Sequence, residues 1–474
     1  MSIQLIMVVV FLVLTLAISI YFNKRNTGTK EYFLAQGSLG VPLIAGLIFS
    51  EVIAGATTVG AAAAAFKTGL SCVWTSWGQA LGMFIFVVFV GKFYRAMNKV
   101  KGVMSVPEAY KYMFDDRSRL VMLLVGVLAY GIIFSTTPMA VASIMAPMLN
   151  LSIPTVVWIA GGIFIVMTMT GGLKGIAWMN VINSIILYVA MGTIAFKSIH
   201  AAGGIGAMRA AVDPTYFSVL QPDAATALAG GLGTGIGSVA GAIYANVTFS
   251  GRTYKQVKIG LILAAVLLVP FALMPGLTGI AARVIMPEAQ EATVLYTMGN
   301  YFGPFYGGLA AMVVVAACFS TGPAFLLQIS TTLTRDFYKT LVNKEADDKA
   351  QLFFSKIAAL VMGVLFIFMG LQYSSILSQV LGAFQIRSVV GVVLMVAVLW
   401  PRVSPDAAFW SMLIGGAVAA FWHFGNSPLG IAPLWPATAV TLLILIPMSL
   451  MSKQKISAGY QLYKEMCEVA DSLE

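Results

Sequence analysis

The chain has 474 residues, of which 59% are hydrophobic and only 10% charged, with a mean hydropathy of +0.91. That composition excludes a soluble globular protein and fits one integral bundle of membrane-spanning segments. Cys72, Cys318 and Cys467 are far apart and form no CxxC pair, and His200 and His423 are too few for a histidine-based metal centre, so neither a disulfide framework nor a zinc site is indicated.

Thirteen apolar spans follow one another at about 3–22, 42–66, 71–94, 119–148, 153–171, 178–199, 226–249, 257–282, 304–333, 353–371, 376–399, 406–424 and 432–451. The first has no charged leading region and no small-residue cleavage site, so it is expected to be a retained span and not a signal peptide. With the N-terminus placed outside and the sides alternating, 23 of the 28 Lys and Arg residues fall in cytoplasmic segments. Only Lys67, Lys197, Arg209 and Arg283 fall outside, and Arg387 is left within a span. So uneven a split supports the span count and a cytoplasmic C-terminus. It also accounts for the net charge of +10, which therefore implies no nucleic-acid partner. The expected location is the cell's inner (plasma) membrane.

Within the second span, the stretch from Gly46 to Phe66 is poorly built for a simple lipid-facing helix. It carries Glu51 and a run of small residues from Ala54 to Ala65. A charge at membrane depth costs roughly 2.5–3.5 kcal/mol on insertion scales and requires a protein-lined or watery setting. Two readings follow: a tightly packed helix whose Glu51 has a structural partner, or a helix broken near Ser50–Ile53 whose freed carbonyls bind a cation. Glu51 is the acid that falls clearly within a span and Arg387 the base, so they form either an ion pair or two poles of one polar site.

The seventh span opens with glycines from Gly230 to Gly237 and ends at Tyr244-Ala-Asn246. Closely spaced glycines cost a helix about 1 kcal/mol each relative to alanine, so they mark either close packing or a second broken helix. The ninth span carries Ser320-Thr-Gly-Pro323. Its two hydroxyls could repair the backbone bonds freed by Pro323, or offer oxygen to a weakly held monovalent cation. The longer loops are an external one at about 200–225 and a cytoplasmic one at about 336–352. The tail after Lys453 is mildly amphipathic, fit to lie along the membrane surface or to hang loose. No GxxxxGK[ST] phosphate loop and no hydrolytic constellation is present, so the chain is not expected to be an enzyme or to use a cofactor.

With these features in order, the chain resembles the sodium/solute symporter family, which includes bacterial proline, pantothenate, sialic-acid and sugar symporters. The similarity runs from about residue 31 to 451. It is carried by Glu31-Tyr-Phe-Leu-Ala-Gln-Gly-Ser-Leu39, Ser105-Val-Pro-Glu108, Gly171-Gly-Leu-Lys-Gly-Ile-Ala-Trp178, Ala317-x-x-Ser320-Thr321, Thr334-Arg-Asp-Phe-Tyr338, Leu399-Trp-Pro-Arg402 and Gly430-Ile-Ala-Pro-Leu-Trp-Pro436. The resemblance implies an all-α LeuT-type fold: two inverted five-helix repeats at about 42–199 and 226–399, one leading helix and two trailing ones, in a single transporter domain. It implies alternating access with sodium as the coupling ion, a small-molecule substrate, the lipid bilayer as setting, and a monomer sufficient for transport.

Carried over by position, the sodium ligands would be the carbonyls of Ser50, Ile53 and Ala317 and the hydroxyls of Ser320 and Thr321. Substrate positions would fall near Ser76, Gln79, Tyr244, Asn246, Gln385 and Arg387. The family's WTD reads Trp178-Met-Asn180 here, so an Asp linked to sodium release or to an extra sodium is replaced by an amide. Gly322-Pro-Ala-Phe325 replaces a more polar run. Glu51 and Asn180 are the expected coupling or gating positions. The expected activity is sodium-coupled uptake of a small carboxylate or amino-acid-like zwitterion. The alternatives are proton coupling through Glu51 and a transporter-like sensor.

Overall fold

The structure is a computed structural model that describes residues 3–23, 38–170, 173–372 and 375–472. The motif residues 31–37, the basic residues Lys24, Arg25 and Lys30, and Gly171-Gly172 lie outside the described residues, as do the side chains of 170–177. Among the described residues ten helices are long and apolar enough to cross a membrane, and a bent pair makes an eleventh. Shorter apolar helices at Ile3–Thr15 and Ile153–Met169 occupy the first and fifth expected spans.

The helices, in chain order, are α1 (Ile3–Asn23), α2 (Val41–Val52), α3 (Ala61–Thr68), α4 (Trp74–Ile85), α5 (Gly91–Lys101), α6 (Val106–Met113), α7 (Asp116–Leu149), α8 (Ile153–Thr170) and α9 (Leu173–Ala201). They continue with α10 (Gly204–Ala211), α11 (Ala224–Val239), α12 (Ala242–Ser250), α13 (Tyr254–Ile285), α14 (Val294–Tyr301) and α15 (Pro304–Thr332). The last are α16 (Asp348–Gly370), α17 (Ile376–Leu399), α18 (Pro405–Phe424), α19 (Leu434–Met451) and α20 (Ala458–Ser472).

Local chemistry sets several helix starts. Ser105 caps α6: its hydroxyl accepts from the Glu108 N–H at 3.2 Å, while the Glu108 carboxylate accepts from the Met104 N–H at 3.0 Å. The Ser105-Val-Pro-Glu108 motif thus works like a capping box shifted by one residue, with Glu108 reaching back to the N–H just before the cap. Asp223 caps α11, accepting from the Thr226 N–H at 2.8 Å.

The glycines of α11 allow backbone-to-backbone packing. A Cβ on Gly78 of α4 would lie 2.3 Å from the Gly231 carbonyl oxygen, and one on Gly82 would lie 2.6 Å from that of Gly235. On the other side of α11, a Cβ on Gly237 would meet the Phe384 carbonyl of α17 at 2.5 Å. Both readings of this stretch therefore hold. The glycines pack, and the helix is also interrupted just beyond them, at Ala240-Gly241.

Two expectations about the loops change. The 336–352 segment is not all loop: a π-helix at Leu333–Val342 extends α15 and buries Asp336. There the Arg119 Nη2 and Nε donate to Asp336 Oδ1 at 2.8 and 3.0 Å, and the Ser105 hydroxyl donates to the same oxygen at 3.0 Å. The tail is not a loose end. As α20 it docks on the bundle, burying Met466 and Ala470, with the Tyr463 hydroxyl donating to the Phe89 carbonyl at 2.7 Å.

Candidate functional site

α2 enters the core with Pro42 in its first turn and is buried from Ile44 to Val52. It stops because Ile53 turns to extended backbone (φ −85°, ψ 105°). The chain then resumes in a π turn at Ala56–Gly60 that leads into α3, and the two halves bend by 62°. Gly55 lets the break pack against α7, since a Cβ there would lie 2.2 Å from Ala140 Cβ. Thr57 accepts from the Ala54 N–H at 2.9 Å and the Thr58 hydroxyl donates to the Ala54 carbonyl at 2.9 Å, so the broken turn is partly healed by its own side chains.

The carbonyls at the end of α2 face α15. The Ser320 hydroxyl lies 3.0 Å from Ser50 O and 2.8 Å from Ala317 O. The Thr321 hydroxyl lies 3.2 Å from Glu51 O, 3.3 Å from Ile53 O and 2.8 Å from Ala317 O. A hydroxyl carries one proton, so two protons serve five contacts and the cluster has more lone pairs than donors. A monovalent cation is the natural complement to such a neutral cage of oxygens at a helix break. Nor do these hydroxyls repair the proline defect. Pro323 leaves the Phe319 carbonyl without its usual donor four residues on, whereas both hydroxyls reach Ala317.

α9 borders this cluster. A Cβ on Gly46 of α2 would lie 2.7 Å from Val181 Cγ2, and the Ser184 hydroxyl donates to Gly46 O at 2.9 Å. Asn180 and Asn183 are fully buried here, and among the described residues neither amide has a partner at oxygen or nitrogen. The Ser50 hydroxyl is also buried and unpartnered. Buried amides in this condition are fitted to hold water or a hydrated ion. Asn183 was not singled out from the sequence, although its spacing of three from Asn180 puts both on one helix face.

A cavity adjoins the break and is lined by Glu51, Gln79, Tyr244, Phe384 and Arg387, among others. Tyr244 donates to the Gln79 carbonyl at 3.1 Å. Arg387 is held by its Nε, which donates to Gly237 O at 2.6 Å, and its guanidinium sits 4.7 Å from the Phe384 ring centroid and 5.0 Å from that of Tyr130. Among the described residues its Nη1 is buried without a partner. Tyr130, which the sequence did not flag, accepts from the Ala242 N–H at 2.5 Å and so caps α12 at the second break. Among the described residues Glu51 and Arg387 form no ion pair, although both line this cavity.

The other expected substrate positions lie apart. Ser76 is buried on α4 away from the cavity lining. Asn246 donates through Nδ2 to Gln328 Oε1 at 2.6 Å. Gln385 lines a separate pocket with Gln379 and His423.

A helical membrane bundle with a broken core helix, an oxygen cage at the break and a charged cavity beside it belongs to the class of multi-pass membrane transporters. Residues 32–415 match the sodium:solute symporter family, and the chain belongs to it. The high-affinity proline transporter PutP of Bacillus subtilis is 25% identical, across 92% of this chain and 96% of that one. A sodium/proline symporter of Staphylococcus aureus is 23% identical, across 95% and 93%. Among solved structures, the substrate-bound outward-open state of a Na+-coupled sialic acid symporter matches with a TM-score of 0.82 at 16% identity, covering 96% of this chain and 99% of that one. Mhp1, a nucleobase-cation-symport-1 family transporter in a closed conformation, matches with a TM-score of 0.61 at 18% identity, covering 92% and 98%. The architecture is accordingly the LeuT-type five-plus-five bundle with one leading and two trailing helices. Family and relatives are transporters, not enzymes.

Proposed function

We propose that this protein is a sodium-coupled symporter for a small carboxylate-bearing solute, working by alternating access in the plasma membrane. The observation that carries this reading is the convergence of Ser320 and Thr321 on the carbonyls of the broken helix. Sodium would take the Ser50, Ile53 and Ala317 carbonyls and the two hydroxyls. Family membership and the sodium/proline relatives support the same ion. Asn180, with Asn183, would serve its release path as neutral ligands.

Arg387 would hold the carboxylate of the solute. A guanidinium that keeps Nη1 unbonded in a cavity wall is a natural partner for a planar anion. Gln79 and Tyr244 line the same space. The proline transporters among the relatives suggest a compact amino or imino acid. The repeats would run over about 42–199 and 226–399, with the N-terminus outside. The latter fits the grouping of Lys92, Arg95, Arg117, Arg119, Arg252 and Arg335 at one end of the bundle.

Reconstituted into liposomes, the protein should accumulate radiolabelled L-proline or another small carboxylate when sodium is added outside. Arg387→Gln should abolish that uptake and leave sodium-induced thermal stabilisation intact. Uptake that follows a proton gradient without sodium would overturn sodium coupling, and unchanged carboxylate uptake in Arg387→Gln would overturn the role of Arg387.

A further inference from the structure

The two faces of Glu51 serve different sites. Its backbone carbonyl belongs to the oxygen cluster, 3.2 Å from the Thr321 hydroxyl. Glu51 also lines the neighbouring cavity, where it is the lone acid among the lining residues and Arg387 the lone base. Glu51 is only 8% exposed, yet its carboxylate accepts no hydrogen bond and forms no ion pair among the described residues. The two charges thus stand on α2 and α17, on walls of one cavity, farther apart than the 4.0 Å of an ion pair.

An ionised Glu51 buried without a partner is costly and Arg387 keeps Nη1 unbonded, so a ligand that meets both groups relieves both. A simple monocarboxylate would neutralise Arg387 and leave Glu51 alone in a space that now carries net negative charge. A zwitterion satisfies both walls and keeps the cavity neutral. Thr57, Gln79, Ser238 and Tyr244 line the same cavity as uncharged groups, so among the lining residues the charge of the cationic end is met by Glu51 alone, while Tyr130 and Phe384 present ring faces to Arg387.

We propose that the Glu51 carboxylate is the second pole of the solute site, receiving the primary- or secondary-ammonium N–H donors of a zwitterionic amino acid whose carboxylate lies on Arg387. This rests on the carboxylate reading of Arg387 and narrows it. It makes Glu51 a specificity-determining residue. It also puts the two sites on one peptide unit: the Ser50 carbonyl, a proposed sodium ligand, is joined to the Glu51 nitrogen, so a cation held there helps to fix the residue that meets the solute.

The test is binding to the purified full-length protein in detergent with saturating NaCl. The probes are L-proline and L-alanine against tetrahydrofuran-2-carboxylate and L-lactate, in which oxygen replaces the basic nitrogen. The wild type should bind at least one zwitterion about tenfold or more tighter than its oxygen counterpart, as expected for a charge-assisted hydrogen bond. Glu51→Gln should weaken the zwitterion by a similar factor, leave the oxygen analogue unchanged or tighter, and keep the sodium-induced thermal shift. Glu51→Asp should fold and retain the preference for the zwitterion, which separates loss of charge from loss of structure. Equal weakening of both probes in Glu51→Gln, or loss of its sodium shift with Glu51→Asp still folded, would overturn the amine pole while leaving the Arg387 reading standing. No binding of any of the four probes by the wild type would overturn both.

Discussion

The hydroxyl oxygen of Thr321 on α15 lies 3.2 Å from the carbonyl oxygen of Glu51, a residue that also lines the charged cavity. One peptide unit is therefore common to the oxygen cage and to the proposed solute site. Binding free energies that share a structural element are coupled, and the coupling is reciprocal. Sodium should raise the affinity for L-proline, or for whichever amino acid binds, and that solute should raise the affinity for sodium by the same factor. Paired titrations by calorimetry, sodium at fixed solute and solute at fixed sodium, check this. Unequal factors at equilibrium would exclude a simple two-site linkage.

Removing the hydroxyl of Thr321 takes one oxygen ligand from the cage. Losing one polar contact to a charged group costs about 1–3 kcal/mol. Thr321→Ala should weaken sodium binding about 5- to 150-fold, read as a shift in the NaCl concentration needed for half-maximal thermal stabilisation. Thr321→Ser, which keeps the oxygen, should lie close to wild type.

Gly78 and Gly231 bring α4 and α11 into backbone contact, since a Cβ on Gly78 would stand 2.3 Å from a carbonyl oxygen. Backbone cannot give way as a flexible side chain can. Gly78→Ala should therefore destabilise the bundle by about 1–3 kcal/mol, the usual range for overpacking. Thermal unfolding in detergent is the measurement. Gly102→Ala is not a matched control, because Gly102 has φ +69° and would be strained for a different reason; Gly126, with open space beside it, is the better choice.

Much of this was legible from particular residues. An acid amid small residues pointed to the break at Ile53, and Ser320-Thr321 beside Pro323 marked the helix that meets it. The direction of the hydroxyls could not be read, because repairing a proline gap and reaching across to another helix use the same residues. The separation of Glu51 from Arg387 is likewise tertiary. The burial of Arg119 and Asp336 was hidden for another reason. Both sit at span ends, where the charge count treats every basic residue as solvated, and only the fold shows that the Asp336 carboxylate is enclosed. Asn183 carries no charge and broke no pattern, so nothing drew attention to it.

The Arg119–Asp336 pair supports a sharp stability prediction. Asp336 is fully buried and its Oδ1 receives three donors, two from Arg119 and one from Ser105. Removing one partner of a buried pair strands the other charge, at about 3–5 kcal/mol. Arg119→Met should lower thermal stability by that order. Arg119→Met with Asp336→Leu should recover part of it, because the stranded charge is gone. A double variant no more stable than the single one would mean that Asp336 has a further role at that end of the bundle.

Asp223 supplies the pH prediction. It caps α11 from outside the membrane spans, and the Thr226 N–H and then the Thr226 hydroxyl hold its carboxyl below the usual aspartate value of 3.8. A lowered carboxylate pKa in the folded state adds stability that is complete above the unfolded pKa and is lost as pH falls through the folded one. The thermal-stability gap between wild type and Asp223→Ala should thus be constant from pH 7 to about 5 and narrow below about 4, where the capping carboxylate takes up its proton. Asp223→Asn separates capping from charge, since an amide oxygen caps nearly as well at neutral pH and does not titrate. Its gap to wild type should be small at pH 7, and it should retain at pH 3.5 the stability that the wild type gives up. A gap between wild type and Asp223→Ala that widens as pH falls would reverse the sign and remove the cap as its cause.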